Sequence, residues 1–307
     1  MIYSIFTTVA IMLVYMMIGF CLCKSGKAVV SHAKSLSAIL IYILGPCMII
    51  NSFLGLDYSR ENIIQIGIYF IVSLLVQVIF FAALYIVFSR KYNDSKYRIL
   101  TVGAVLGNVG FLGMPVVASV FPGVPIVLVY SSINVMSMNL IVFTIGTFMI
   151  TNDKKYISVK NAILNPTTIA IIISLPLFIF RIHFPESIES GIGLLGKMVT
   201  PICMLILGMR LSEAKLKAIF TRPFVYATCL FKLVVFPIVA FLLVHWIPWI
   251  NDACKTTVVV LAMTPAGAII QSLSELYECE QEFAANVVLL TTIISVVTIP
   301  LMAYILV

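Results

Sequence analysis

Charged residues are scarce in this sequence. They make up 10% of its 307 residues, whereas apolar residues make up 62%. This balance lies far from that of soluble proteins and is typical of proteins that cross a membrane. The sequence also lacks an HExxH motif, a nucleophile elbow and paired intramembrane acids, which leaves no candidate for an intramembrane hydrolase. We therefore predict neither an enzyme activity nor a resident cofactor.

Acidic residues are missing from the places where many ion transporters need them. All twelve carboxylates fall in links or at the ends of apolar stretches, and none lies at mid-membrane depth. Cation pumps and proton antiporters with a carboxylate relay place Asp or Glu inside the bilayer. This absence argues against a cationic substrate. The seven cysteines show no paired metal-ligand spacing either, so we expect buried thiols and no metal site.

Long apolar stretches fill the chain from end to end. A helix of about twenty residues spans about 30 Å, the thickness of the hydrocarbon core. The sequence predicts an all-α integral membrane protein with ten spans, at residues 4–23, 33–54, 63–88, 98–120, 125–150, 164–183, 188–211, 224–247, 254–275 and 283–306. The first stretch has no basic n-region before it, so we expect no cleaved signal.

The basic residues are distributed unequally between alternate links. Fourteen Lys and Arg fall on one side, while the other side has three, namely Arg60, Arg181 and Lys255. By the positive-inside rule, the richer side faces the cytoplasm and both termini face outward. Because insertion into the cytoplasmic membrane explains the net charge of +7, we do not expect a nucleic-acid partner.

The predicted spans fall into two sets of five. We assign residues 1–150 to a first five-helix repeat, 151–163 to a short cytoplasmic link and 164–307 to a second repeat. An odd number of spans in each half gives the halves opposite orientations, as in inverted-repeat transporters. Pro115 and Pro265 occupy matching spans, 4 and 9, where proline is expected to kink or break the helix.

Broken helices in matching places predict a substrate site. Each break exposes backbone groups and directs a positive helix N-terminus at the midplane, which suits an anion. Glycines allow close backbone approach, and amide side chains offer donors and acceptors. From the two breaks we assign to substrate binding Asn108, Gly110, Pro115, Pro265, Gly267 and Gln271, with Thr264 as a secondary candidate.

Depth adds further candidates. Five residues lie about ten positions inside a predicted span, near the centre of the core, namely Asn108, Asn134, Lys197, Lys232 and Pro265. A lysine stem reaches only about 6 Å, so neither lysine can bring its ammonium to the interface. Each lysine either lines a water-filled path or hydrogen bonds to Asn, Ser or carbonyl oxygens. We assign Asn134 and Lys232 to substrate binding and Lys197 to a secondary role.

At these segments the chain resembles the auxin efflux carrier family, which includes bacterial malate permeases and plant auxin exporters. The resemblance covers essentially the whole chain. It is carried by Gly107 through Pro115, Asn165-Pro166, Thr200 through Gly208, Thr264 through Gly267 continuing to Tyr277, and the run from Thr291 to Pro300.

The resemblance implies two inverted five-helix repeats with spans 4 and 9 crossing at their prolines. It implies a scaffold of spans 1, 2, 6 and 7, often dimerising, and a mobile unit of spans 3–5 and 8–10. Asn108, Pro115 and Pro265 would belong to the crossing, and span 5 would contribute Asn134.

We predict a carrier that moves a small organic anion, most simply a carboxylate, by alternating access. A sodium-coupled symporter is the alternative, with ion ligands from Thr264, Gln271, Thr291 and Thr292. A channel or a receptor is a further class, and saturable uptake with counterflow would separate a carrier from a channel.

Overall fold

The computed structural model describes residues 2–213 and 223–307. Three basic residues of the charge count, Lys215, Lys217 and Arg222, lie outside this part of the chain. Within the described ranges the protein is helical, and its β pairing is confined to one isolated bridge between Gly107 and Ala266. The predicted all-α class is confirmed.

The principal helices are named here in chain order. They are α1 (Tyr3–Lys24), α2 (His32–Leu54), α3 (Arg60–Lys91), α4 (Ser95–Val105), α5 (Val109–Val120), α6 (Ile126–Thr151), α7 (Pro166–Ile179), α8 (Glu186–Glu213), α9 (Pro223–His245), α10 (Asp252–Ala262), α11 (Ala268–Leu276) and α12 (Gln281–Leu306).

Eight helical segments are long and apolar enough to cross a membrane, whereas the sequence predicted ten spans, with spans 4 and 9 kinked or broken at proline. These eight are α1, α2, α3, α6, the segment Lys154–Ile179 that ends with α7, α8, α9 and α12. The predicted spans 98–120 and 254–275 are each divided into two short helices. The first consists of α4 and α5, and the second of α10 and α11.

The first interruption lies earlier in the chain than the proline signal predicted. Helix α4 ends at Val105 and α5 begins at Val109, whereas Pro115 lies inside α5. Pro115 follows a π-helical turn, Val109–Gly113. A π turn already alters the hydrogen-bond ladder, so the missing proline N–H leaves no gap in it. The chain therefore passes Pro115 without breaking.

Helix packing separates two groups of helices. Helix α1 packs along α8, and α2 packs against both α7 and α8. In the second group, α3 packs along α6 and α9 packs along α10. The α1–α8 contact is especially close, because a Cβ at Gly19 or Gly208 would overlap the carbonyl oxygens of Leu205 and Met16. The first group coincides with the four spans for which the resemblance implies a scaffold.

Candidate functional site

The two interruptions cross each other at the centre of the protein. The Asn108 N–H donates to the Pro265 carbonyl at 2.7 Å, and the Gly267 N–H donates to the Leu106 carbonyl at 3.0 Å. Backbone that leaves a helix inside a membrane must find partners within the protein. Each interruption supplies partners for the other, so the two breaks form one structural unit, which we call the crossing (residues 106–108 and 263–267).

Glycine is required where the two backbones meet. A Cβ on Gly267 would lie 2.9 Å from the Gly107 carbonyl oxygen, and one on Gly107 would overlap the Thr264 hydroxyl. The Ala266 N–H is held from the other side by Thr291, whose hydroxyl accepts it at 3.1 Å. The crossing is therefore a tight backbone contact fixed by neighbouring side chains.

Four helix ends converge on the crossing. Helices α4 and α10 end there with their carbonyl groups, whereas α5 and α11 begin there with their N–H groups. The first kind of end carries partial negative charge and the second partial positive charge. In the part of the chain that the structure describes, no side chain caps the N-terminus of α5 or of α11.

Lys232 covers the negative ends. It is 0% exposed, and its Nζ donates to the Val105 carbonyl at 3.3 Å and to the Ala262 carbonyl at 3.4 Å. These carbonyls belong to the last residues of α4 and α10. The Nζ also lies 4.6 Å from the centre of the Phe236 ring, a cation–π contact.

A small cavity adjoins Lys232. Its volume is about 20 Å³, which is enough space for roughly one water molecule. Polar side chains line it: Asn134 accepts from the Tyr69 hydroxyl at 3.3 Å, and Gln77 donates to Ser137 at 3.0 Å. This space is too small for an organic anion, although it brings Asn134 and Lys232 together.

A larger cavity lies beside α5, between the two helix groups. We call it the α5 cavity; it has a volume of about 380 Å³, which lies within the range of small-molecule sites. Its lining includes Thr8, Tyr15, Met48, Asn51, Ser52, Pro115, Gly196, Lys197, Thr200 and Pro201. Helices α1, α2 and α8 form one wall, and α5 forms the other.

Lys197 gives the α5 cavity its positive charge. Its side chain is exposed, and it forms no ion pair among the described residues. Nearby, the Thr200 hydroxyl donates to the Phe111 carbonyl in the first turn of α5 at 3.1 Å. The lysine therefore lies one helical turn before Thr200 in the same cavity wall, and the α5 residues that line this cavity begin at Met114.

A third cavity, of about 300 Å³, lies beside α11 and is called the α11 cavity. Arg210 and Asn286 line it, and each has a buried nitrogen, Nη1 and Nδ2 respectively, that finds no hydrogen-bond partner. Gln271 lines it too and donates to Glu275 at 2.7 Å. The carboxylates of Glu213 and Glu282 complete the polar lining. Arg210 is one of the fourteen basic residues counted on the cytoplasmic side, and it lies within α8.

The two larger cavities lie on opposite sides of the crossing. Helix α5 packs beside α10, whereas α11 packs beside α4. Since α4 and α10 approach the crossing from opposite ends, α5 and α11 leave it toward opposite ends. A cavity beside each half helix therefore flanks the crossing from each side.

The structure divides the predicted site residues among these places. At the crossing lie Asn108, Thr264, Pro265 and Gly267, whereas Gly110 lies in the π turn that begins α5. Asn134 and Lys232 lie beside the water-sized cavity, Pro115 and Lys197 line the α5 cavity, and Gln271 lines the α11 cavity.

Sequence reasoning missed several polar lining residues. Ser73 and Gln77 are four residues apart within a long apolar span, and their spacing indicates a shared helix face. The same depth argument that selected Asn134 would have found them. Arg210 and Asn286 gave no such signal, because each lies near a span end where polar residues are ordinary.

The threonines proposed as sodium ligands each donate a hydrogen bond to a carbonyl three or four residues earlier, which leaves an oxygen lone pair for a cation. The hydroxyls of Thr264, Thr291 and Thr292 donate to the carbonyls of Leu261, Val287 and Val288, respectively. Gln271 bonds to Glu275 beside the α11 cavity.

Comparison with known proteins identifies relatives along the whole chain. A family model described as "Membrane transport protein" matches residues 4–303. An uncharacterized transporter of Methanocaldococcus jannaschii is 28% identical over 308 aligned positions, which cover 97% of each chain.

Proposed function

The chain belongs to the membrane transport protein family, and we propose that it is a carrier that moves a small organic anion by alternating access. Membership confirms the predicted resemblance to auxin efflux carriers. It also identifies the protein as a multi-pass membrane transporter and not an enzyme. The nature of the substrate is our own inference from the charges at the crossing.

The main observation behind this proposal is that the carbonyl ends of two helices are covered by a side chain, whereas the N–H ends of the other two are not. The ammonium of Lys232 covers the carbonyl ends of α4 and α10. The N–H ends of α5 and α11 have no side-chain cap in the described part of the chain. Helix N-termini of this kind bind carboxylate and phosphate groups. The electrostatics of the crossing thus favour an anion over a cation.

We assign the substrate to the α5 cavity. It is large enough for a small carboxylate, and Lys197 supplies a positive charge in its wall. Tyr15, Asn51 and Thr200 add hydroxyl and amide groups that could accept or donate hydrogen bonds. In this assignment Lys197 contacts the substrate directly. Lys232 does not contact the substrate and instead neutralises the carbonyl ends of α4 and α10.

Alternating access would use the two flanking cavities in turn. Each cavity has one wall from α8 and another from a half helix of the crossing. A shift of α3–α6 and α9–α12 against α1, α2, α7 and α8 would open one cavity while closing the other. In this scheme the halves 1–150 and 164–307 are inverted repeats, both termini face outward, and two copies dimerise through the static group.

Lys197→Gln tests the substrate assignment. Losing a charge-assisted contact should weaken carboxylate binding about tenfold, since one such contact is typically worth this much or more. The fold should persist, because the side chain is exposed. Binding would be measured by thermal stabilisation of the purified protein across mono- and dicarboxylates, followed by counterflow in proteoliposomes.

Lys34→Gln provides the control, since Lys34 is exposed and lies outside all three cavities. Equal affinity in the two variants would remove Lys197 from the site. Absence of saturable counterflow for every carboxylate would refute the anion carrier itself.

A further inference from the structure

Lys232 is fully buried and lines neither of the two larger cavities. A charge in such a place is costly unless the protein compensates it. No acid stands opposite it: among the described residues, its polar contacts are the carbonyls of Val105 and Ala262. The compensation therefore comes from backbone dipoles and from the ring of Phe236.

These two carbonyls determine which kind of chemical group can occupy the place of the Lys232 Nζ atom. They come from the last residues of α4 and α10, so the position receives the partial negative charge of two helix ends at once. Convergent carbonyl oxygens are the usual ligands of inorganic cations at unwound membrane helices. The position is a cation site by its chemistry, and an amino-acid side chain fills it.

We propose that Lys232 is a tethered cation which takes the place of a bound inorganic ion at the crossing. It holds the ends of α4 and α10 together and neutralises them, so the substrate meets only the positive ends of α5 and α11. Transport should then require no sodium or potassium. This inference rests on the proposed carrier function, and it adds that transport through the same site is not coupled to a bound inorganic cation.

The surroundings of Nζ support a fitted position for the ammonium. A Cβ on Gly107 would lie 3.0 Å from Nζ, so glycine leaves just enough room. Phe236 in turn stacks on Phe80 with ring centres 4.6 Å apart, which fixes the aromatic face beneath the charge. The adjacent water-sized cavity can hold a water for the remaining donor.

Lys232→Ala would leave an empty cation position, and this gives the test. In medium whose only cation is N-methylglucamine, too large to enter, we expect counterflow to fall at least tenfold. Methylammonium, sodium or potassium should restore part of it by binding between the two carbonyls. Wild-type protein should transport equally in all these media.

A second measurement needs no substrate. The purified Lys232→Ala protein should be thermally stabilised by methylammonium relative to N-methylglucamine at equal ionic strength. Wild type and the exposed-site control Lys34→Ala should show no such difference. Stabilisation without any carboxylate transport would retain the tethered cation and reject the anion carrier.

Three results would overturn the inference. The first is wild-type transport that requires sodium. The second is a Lys232→Ala protein that transports normally without small cations. The third is a folded Lys232→Ala protein that no small cation stabilises or reactivates, which would make Lys232 a structural hydrogen-bond donor only.

Discussion

At the scale of single residues, the crossing depends on missing side chains. Gly107 and Gly267 bring two backbones into direct contact, and the contact places the carbonyl ends of α4 and α10 within reach of one ammonium group. A methyl group at Gly267 would push the backbones apart, and one at Gly107 would overlap the Thr264 hydroxyl. Small residues thus have an electrostatic effect here as well as a packing effect.

Gly267→Ala should therefore destabilise the protein. Its Cβ would lie 2.9 Å from a backbone oxygen, which cannot move aside as a flexible side chain can. Overpacking of this kind costs about 1–3 kcal/mol of the free energy of unfolding. Denaturant unfolding in detergent would measure it.

Gly191→Ala is the matched control, because a Cβ there meets nothing within 4 Å on the surface of α8. Alanine should raise helix stability at this position by up to about 1 kcal/mol. A Gly267→Ala protein as stable as the Gly191→Ala protein would show that the crossing has room for a methyl group.

At the scale of elements, the two prolines of the broken spans have different surroundings. Pro265 lies within the crossing and its carbonyl accepts the Asn108 N–H, whereas Pro115 lies inside α5 after a π turn. The same succession of a π turn and a proline precedes Pro46 in α2 and Pro237 in α9. Of these four prolines, three follow a π turn and one lies at a break.

Pro265→Ala should reduce transport more than Pro115→Ala. Alanine at 265 allows α10 to continue, which would withdraw the carbonyl from Asn108 and separate the two interruptions. Initial rates of counterflow, corrected for the amount of reconstituted protein, would compare them. Pro176→Ala, at an exposed position inside α7, is the control for removal of a helix proline. A larger loss in Pro115→Ala would place the functional break in α5.

The elements show which features the sequence determines locally. The lengths of the apolar stretches predicted the eight long helices. The prolines at matching places in spans 4 and 9 predicted that these two spans are interrupted. The position of the first break was not predictable in this way. Leu106, Gly107 and Asn108 leave the helix because Pro265 and Gly267 offer backbone partners from the other half, which is a tertiary effect. The partners of Lys232 were likewise hidden, since backbone carbonyls leave no trace in a sequence.

At the scale of the whole molecule, the charge asymmetry predicts orientation. Eleven of the fourteen residues on the basic side lie in described links or at helix ends once the three residues outside the described part are set aside, against three on the other side. The unequal split therefore persists among the described residues, and the basic side is still expected to be cytoplasmic.

Cysteine labelling would test this orientation on a background without native cysteines. An impermeant maleimide added to sealed cells should label Glu186→Cys and Asp252→Cys, which are exposed at the less basic side. Lys91→Cys and Lys160→Cys, exposed at the basic side, should react only after the membrane is opened. Reaction of Lys160→Cys in intact cells would reverse the orientation.

The crossing also has a consequence for biosynthesis. Asn108 finds its partner in Pro265, which the ribosome adds more than 150 residues later. At about 5–20 residues per second this takes roughly 10–30 s. Throughout that time the peptide groups of 106–108 lack their final partners, and unpaired peptide groups are poorly tolerated in lipid. Until the second half is made, the peptide groups of the first half therefore need water or another protein as hydrogen-bond partners, for example at the lateral exit of the insertion machinery.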